Sequence, residues 1–357
     1  MKTIIADKIA SVAQHLDIGR ELRVTADIPC EEGVLIAARI LNSKSSYNTL
    51  ELISGRMAKL RPGDVIVGAL GERKALFGYS GHMPQRLAVG DTLQVLNMGG
   101  VLGICDSVNA TFGAPFDAEV LGAVLHFPYL GERIGVPARV GGTRLDLNAP
   151  ADTHGVPVIA IAGTCMDSGK TAAACAVISR LRHHGMTVDA FKATGVALRR
   201  DILAMEDAGA RNTSIFADFG VTSTTAVNGP AVTRMMLTRL AAEKPDAIVY
   251  ELGDGILGAY GVEAILKDSG VRDSLTCLML CANDPVSAWG GIRLLREEFD
   301  LEADLVSGPA TDNVVGREII GQRLGLPAIN AVTDGNALGD AVAACIGLAT
   351  GKQAAEH

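Results

Sequence analysis

Two kinds of hydrophobic patterning divide this chain of 357 residues. Between Glu21 and about Phe127, apolar runs at residues 32–41, 63–70 and 90–96 are broken by turn signals such as Pro62-Gly63-Asp64 and Val89-Gly90-Asp91. Brief apolar runs punctuated by glycine and proline predict strands. Close-set strands with no helical segments between them predict a small barrel or sandwich. Ahead of them, Ile9, Val12, Ala13 and Leu16 stand at helical spacing, which predicts a short helix within residues 1–20. Residues 128–155 carry Gly131, Gly135, Pro137, Gly141, Gly142, Pro150 and Gly155, the composition of a linker or crossover.

Beyond residue 156, strand and helix signals alternate. Apolar runs at 158–161, 187–194, 247–251, 276–282, 303–307 and 327–332 read as strands, and stretches at 172–181, 231–242 and 337–348 as helices. His183-His184-Gly185 suits the end of the first helix, polar groups followed by a C′ glycine, better than a metal site. Alternation of this kind predicts an α/β domain. The expected organisation is a smaller β-rich, barrel-like domain at 1–127, a linker at 128–155 and an α/β domain at 156–357.

One junction in the α/β half carries chemistry. The strand at 158–161 leads into Gly163, Thr164, Cys165, Met166, Asp167 and Ser168, then Gly169, Lys170 and Thr171, then a helix. Strand, glycine turn, Gly-Lys-Thr and helix in that order is the phosphate-binding P-loop. Polyphosphate needs positive potential at close range, and a helix's first turn offers free N–H groups and the positive end of its dipole. Gly163 and Gly169 let the main chain approach, with Thr164, Asp167 and Ser168 completing the candidate loop. Lys170 would bridge the terminal phosphates and the Thr171 hydroxyl would ligate Mg²⁺. Five residues separate Gly163 from Gly169, where the usual loop has four.

Further along, the strand at 247–251 ends in Glu251, an arrangement that sets a carboxylate beside the metal. Asp254 follows closely and could serve a metal-bound water or a substrate amine. Lys192 stands near the C-terminal end of its strand, the edge at which open parallel sheets bind ligands. A solvated lysine at a strand end is the alternative. Asn283-Asp284-Pro285 and residues 307–313 fall at strand ends on the same side, and neither matches an Asn-Lys-x-Asp guanine reader. ATP is therefore preferred over GTP.

The loop from Gly163 to Thr171 resembles the G-T-x-x-x-x-G-K-T loop of dethiobiotin synthetase, cobyrinic acid diamide synthase and the Min-type ATPases. That resemblance covers about residues 156–340 and implies a doubly wound, mainly parallel P-loop sheet. It also implies ATP and Mg²⁺ as cofactors, a homo-oligomer (a dimer) and a small-molecule substrate. Lys192 matches a substrate- and phosphate-contacting lysine of dethiobiotin synthetase, with Ala193 where that family has proline. Glu251 and the glycines after it are similar to its V-E-G-x-G-G segment, although Leu252 and Asp254 depart from that pattern. Residues 201–210 look like a segment of the molybdenum-cofactor nucleotide adaptor, which implies that Asp201 faces the Mg²⁺, with Arg199 or Arg200 near an anionic substrate. An acid placed for the helix dipole alone would look the same. Lys170, Lys192 and Asp254 are thus the candidate catalytic groups, and Thr171, Glu251 and Asp201 the candidate metal ligands. More distantly, the loop, residues 191–195 and residues 251–261 resemble a P-loop family that includes D-glutamate N-acetyltransferases. That family's Rossmann-like N-terminal half is not what residues 21–127 predict.

Composition narrows the partners. A formal charge of −8 disfavours nucleic acid and anionic membranes. No apolar run reaches membrane-spanning length, and Asp7 and Lys8 interrupt any secretory core, so a cytoplasmic location is expected. Seven cysteines without a C-x-x-C pair suit reduced thiols, with Cys277 and Cys281 as buried core residues. His82 reads as a loop histidine, and Gly99-Gly100 as a close-approach loop. Three functions fit these features: an ATP- and Mg²⁺-dependent enzyme activating a carboxylate or amine, an acyltransferase holding coenzyme A phosphates in the P-loop, or a nucleotide-switched module. Switches of the Min type carry an early loop lysine, which residues 164–168 lack.

Overall fold

A computed structural model describes residues 1–129 and 134–348. Gly131 of the expected linker lies outside them. The chain forms two compact units. The first comprises residues 1–146 with 195–200 and 215–228, and the second comprises 147–194, 201–214 and 229–357.

In the first unit five strands close on themselves. These are β1 (Leu35–Ile40), β2 (Val65–Leu70), β3 (Thr92–Val95), β4 (Val101–Val108) and β5 (Phe116–His126). β1 pairs β2, β2 pairs β4, β4 pairs β3, β3 pairs β5, and β5 returns to β1. Closure leaves no free edge within the ring, and Leu35, Ile36, Ile66, Val67, Leu93, Val101 and Val120 of its strands are all buried. Glycines let the main chain come close: at Gly68 a Cβ would lie 2.3 Å from the Gly100 carbonyl. The helix expected within 1–20 is instead a strand, Lys2–Ile5, a bridging pair, Lys8–Ile9, and one 3₁₀ turn, Ser11–Ala13. Lys8 and Ile9 pair with β2, so ladder hydrogen bonds override a helical spacing too short to hold by itself.

The second unit contains β6 (Val158–Gly163), β7 (Val188–Lys192), β8 (Thr213–Ile215), β9 (Ala247–Glu251), β10 (Cys277–Cys281) and β11 (Leu305–Ser307), in the order β8-β7-β9-β6-β10-β11. The pairs β7–β9, β9–β6, β6–β10 and β10–β11 are all parallel. Its helices are α1 (Lys170–His183), α2 (Arg200–Asp207), α3 (Gly229–Ala241), α4 (Val262–Lys267), α5 (Ser269–Arg272), α6 (Pro285–Phe299), α7 (Val314–Leu324) and α8 (Gly335–Cys345). Alternate strand residues face opposite sides. Ile159, Ile161, Val188, Ala190, Val249 and Met279 share a core with Val177 and Ile178 of α1 and Leu338 and Val342 of α8. On the other parity, Leu280 meets Gly291 of α6, and Phe191 stacks on Tyr250 with ring centroids 4.8 Å apart. Helices therefore cover both faces, the doubly wound arrangement. The final strand expected at 327–332 is only a single bridge, Ala328 to Val306. Asn330 caps that stretch by accepting from the Val332 and Thr333 N–H groups, which turns the chain toward α8 instead of extending it.

Candidate functional site

β6 ends at Gly163, and the chain then turns through two residues with positive φ, Asp167 at 57° and Gly169 at 90°, before α1 begins at Lys170. No side chain caps this helix, so its first N–H groups face the loop. A Cβ at Gly163 would lie 2.4 Å from Ser168 Oγ and 2.9 Å from Lys170 Nζ, so a larger residue there would push the loop's own side chains aside. Thr164 N–H donates to the Cys281 carbonyl at 3.0 Å, fixing the loop to the tip of β10. On the other flank Gly308 (φ +86°) lies beneath the loop, where a Cβ would sit 2.2 Å from the Ser168 carbonyl.

Lys170 is 5% exposed. Its ammonium donates to the Cys165 carbonyl at 2.8 Å and the Asp254 carbonyl at 2.6 Å, with Ser168 Oγ at 3.4 Å. Burial pulls its pKa below the usual lysine range, and the nearby Glu251 carboxylate opposes that shift. Asp254 meets the lysine through its backbone. It holds a left-handed conformation (φ 67°), and its buried carboxylate packs against Gly258.

A second group lies next to the loop. Thr171 Oγ1 donates to Glu251 Oε2 at 2.8 Å. Register places Lys192 of β7 beside Glu251 of β9, with Nζ 3.8 Å from Glu251 Oε1, and Lys192 also forms an ion pair with Asp201. Glu251 is 3% exposed and Asp201 8% exposed. One lysine thus sits between two buried carboxylates that are oxygen ligands suited to Mg²⁺. The candidate residues from the loop, β7, β9 and α2 converge at the C-terminal ends of the parallel strands.

Other expectations resolve differently. The Arg199 guanidinium donates to the Ile53 carbonyl at 2.7 Å, a bond within the first unit. His82 lies at a strand end, where Nδ1 pairs with Asp106 at 2.8 Å. His184 caps α1 and its ring meets Asp340 at 2.7 Å, consistent with a helix terminus. Cys277 and Cys281 are buried, and burial raises the Cys281 thiol to about 12. Sequence reasoning missed two features. Thr194 Oγ1 donates to the Gly253 carbonyl at 2.9 Å, and Gly253 itself sits where a Cβ would meet the Thr194 carbonyl at 2.3 Å. Glu51, fully buried in the first unit, accepts from Ser11 Oγ and from the Arg199 N–H. Nothing local in the sequence marks either one, because both pairings join distant segments.

Strand, glycine loop and helix on a parallel sheet, with the loop lysine and hydroxyl beside a strand-tip acid, make this unit a P-loop NTPase-like fold. Among the described residues no helix is long and apolar enough to cross a membrane. No protein-family model and no curated protein matches the chain. Solved structures similar to part of it include the signal recognition particle receptor FtsY from Elizabethkingia anophelis, at 13% identity and a TM-score of 0.39, covering 55% of this chain and 68% of that one. A DUF1611 family protein from Anabaena variabilis matches at 16% identity and a TM-score of 0.40, over 57% of this chain and 62% of the other. The signal recognition particle 54 kDa protein of Aeropyrum pernix K1, in complex with GDP, matches at 16% identity and a TM-score of 0.38, over 57% and 49%. This chain therefore spans less than two-thirds of the length of the last two.

Proposed function

We propose that the protein is an ATP- and Mg²⁺-dependent enzyme that activates a small carboxylate or amine by phosphoryl transfer. The supporting observation is the hydrogen bond of 2.8 Å from Thr171 to Glu251, which joins the first turn of the loop helix to a buried acid at the tip of the adjoining strand. A P-loop hydroxyl and a strand-tip carboxylate are the donor set that Mg²⁺ takes in nucleotide sites, and Asp201 supplies a further oxygen. Bound there, the metal would offset charge on the phosphate oxygens.

The chain's own groups would do the rest. Two carbonyls hold Lys170 in place before any phosphate arrives, so its charge needs no reorganisation. Its burial also leaves that charge poorly screened, which strengthens its pull on phosphate. Lys192, paired with Asp201, can exchange that partner for an anionic substrate and release the carboxylate toward the metal. Asp254, expected as a base, serves instead through its main-chain carbonyl, which holds the Lys170 ammonium, while its buried carboxylate packs against Gly258.

Purified protein with ATP and Mg²⁺, challenged with a panel of small acids and amines, should release ADP only when the right compound is present. ADP release indifferent to every compound would point to a switch. Consumption of acetyl-coenzyme A without ATP would point to acyl transfer. Either result would overturn the proposal.

A further inference from the structure

At the end of the α/β sheet opposite the phosphate loop, three chemistry-bearing side chains meet. Cys277 opens β10, Asp304 immediately precedes β11, and Cys345 closes α8. One ligand atom from each, the two Sγ and a carboxylate oxygen, lie within 4.8 Å of one another. Cys277 is 1% exposed, Cys345 half-buried and Asp304 exposed, so the cluster has a dry side and an open side. The carboxylate is held in orientation: Leu278 N–H donates to Asp304 Oδ2 at 2.7 Å, and Asp304 N–H donates to the Leu278 carbonyl at 2.8 Å.

We propose that Cys277, Asp304 and Cys345 form a site for a soft divalent cation of the zinc type, separate from the Mg²⁺ ligands of the phosphate loop. Two thiolates and one carboxylate are donors that select Zn²⁺ over Mg²⁺ or Ca²⁺. Zn–S bonds of about 2.3 Å and Zn–O bonds of about 2.1 Å place tetrahedral ligand atoms roughly 3.5–3.8 Å apart. The observed ligand atoms, within 4.8 Å of one another, lie about 1 Å wider than that spacing at most. Three protein ligands leave a fourth position for water on the open side.

Orientation of a ligand carboxylate by a backbone donor is the support that metal sites need. A disulfide between the two cysteines would have no use for it. The consequence is mechanical. Leu338, Val342 and Ala343 of α8 pack in the same core as Ala173 and Val177 of α1, so a cation at Cys345 pins the support of the loop helix to the sheet.

The test uses the reduced full chain with Zn²⁺ and with Co²⁺ as a spectroscopic probe. Wild type should keep one Zn²⁺ per chain after desalting, show a thiolate-to-cobalt charge-transfer band, and gain thermal midpoint with added Zn²⁺. Cys345→Ser, at a half-buried helix end, should lose all three. Asp304→Asn should keep the fold and lose affinity by at least about tenfold, the smaller effect known for groups that merely orient a ligand. Cys175→Ser, a thiol of α1, should behave as wild type. The site is refuted if Cys345→Ser retains the band, if wild type binds no Zn²⁺, or if peptide mass shows Cys277 disulfide-bonded to Cys345 in the presence of Zn²⁺.

Discussion

Thr171 and Glu251 are 80 residues apart in sequence and 2.8 Å apart in space. Replacing Thr171 with Ala, or Glu251 with Gln, should lower Mg²⁺-dependent turnover by about 10²–10³-fold, the scale of losing one preorganised electrostatic group. Lys170→Ala should abolish the calorimetric heat of nucleotide binding. Its thermal midpoint should also fall, because the Cys165 and Asp254 carbonyls lose their donor and Glu251 loses a nearby cation. Tyr250 gives a sharper stability test. Its hydroxyl is fully buried with no hydrogen-bond partner among the described residues, and burial pushes its pKa up. Tyr250→Phe keeps the stack on Phe191 and should leave stability equal or higher by about 1 kcal/mol, read from denaturant midpoints. At this scale Lys170, Thr171 and Glu251 were legible because each sits in a short local pattern. Thr194 and Gly253 were not, since their close approach depends on two loops meeting.

Between elements, α1 and α8 are joined by a polar clasp. Arg180 donates to both Asp340 oxygens at 2.7 and 2.9 Å, and His184 meets the same carboxylate at 2.7 Å. The Arg180 hydrogen bonds, then His184, hold the Asp340 carboxyl below the usual carboxylate range. A depressed carboxyl contributes stability that is complete above its unfolded pKa and is lost as pH falls through the folded value. Asp340→Asn should therefore cost about 0.5–1 kcal/mol near neutral pH, the range for an exposed pair, and flatten the acid limb of a midpoint-against-pH curve. An unchanged acid limb would show the clasp to be idle. Element type followed from pattern wherever a segment buries a regular face. β7, β9, β10 and β11 lie within the runs that predict them, and β6 runs two residues past its own, into Gly163. It failed at residues 1–20 and 327–332, where a weak local preference competed with a ladder partner in one case and an asparagine turn in the other.

For the molecule as a whole, the first unit is not a contiguous piece of chain. It takes in residues 195–200 and 215–228, both from the sequence half that carries the P-loop. Those segments are bonded into it: Thr222 donates to Glu32 at 2.7 Å, Asn97 donates to the Ala197 carbonyl at 2.7 Å, and Arg199 N–H donates to buried Glu51 at 2.7 Å. Residues 1–146 expressed alone should leave Glu51 and Asn97 short of these partners. That fragment should unfold without a cooperative transition, whereas the full chain should show one for the same unit; a fragment as cooperative as the whole would contradict this. The sequence alone determined the glycine-bearing strand-to-helix loop, the strand-tip acid, the strand–helix alternation and the barrel-like front, because backbone periodicity and loop chemistry act over a few residues. Only the tertiary structure decided that two excursions from the α/β half complete the barrel unit, that Lys192 stands between two carboxylates, and that Cys277, Asp304 and Cys345 converge. Contacts between distant segments are set by how strands order in a sheet, and no local spacing encodes that order.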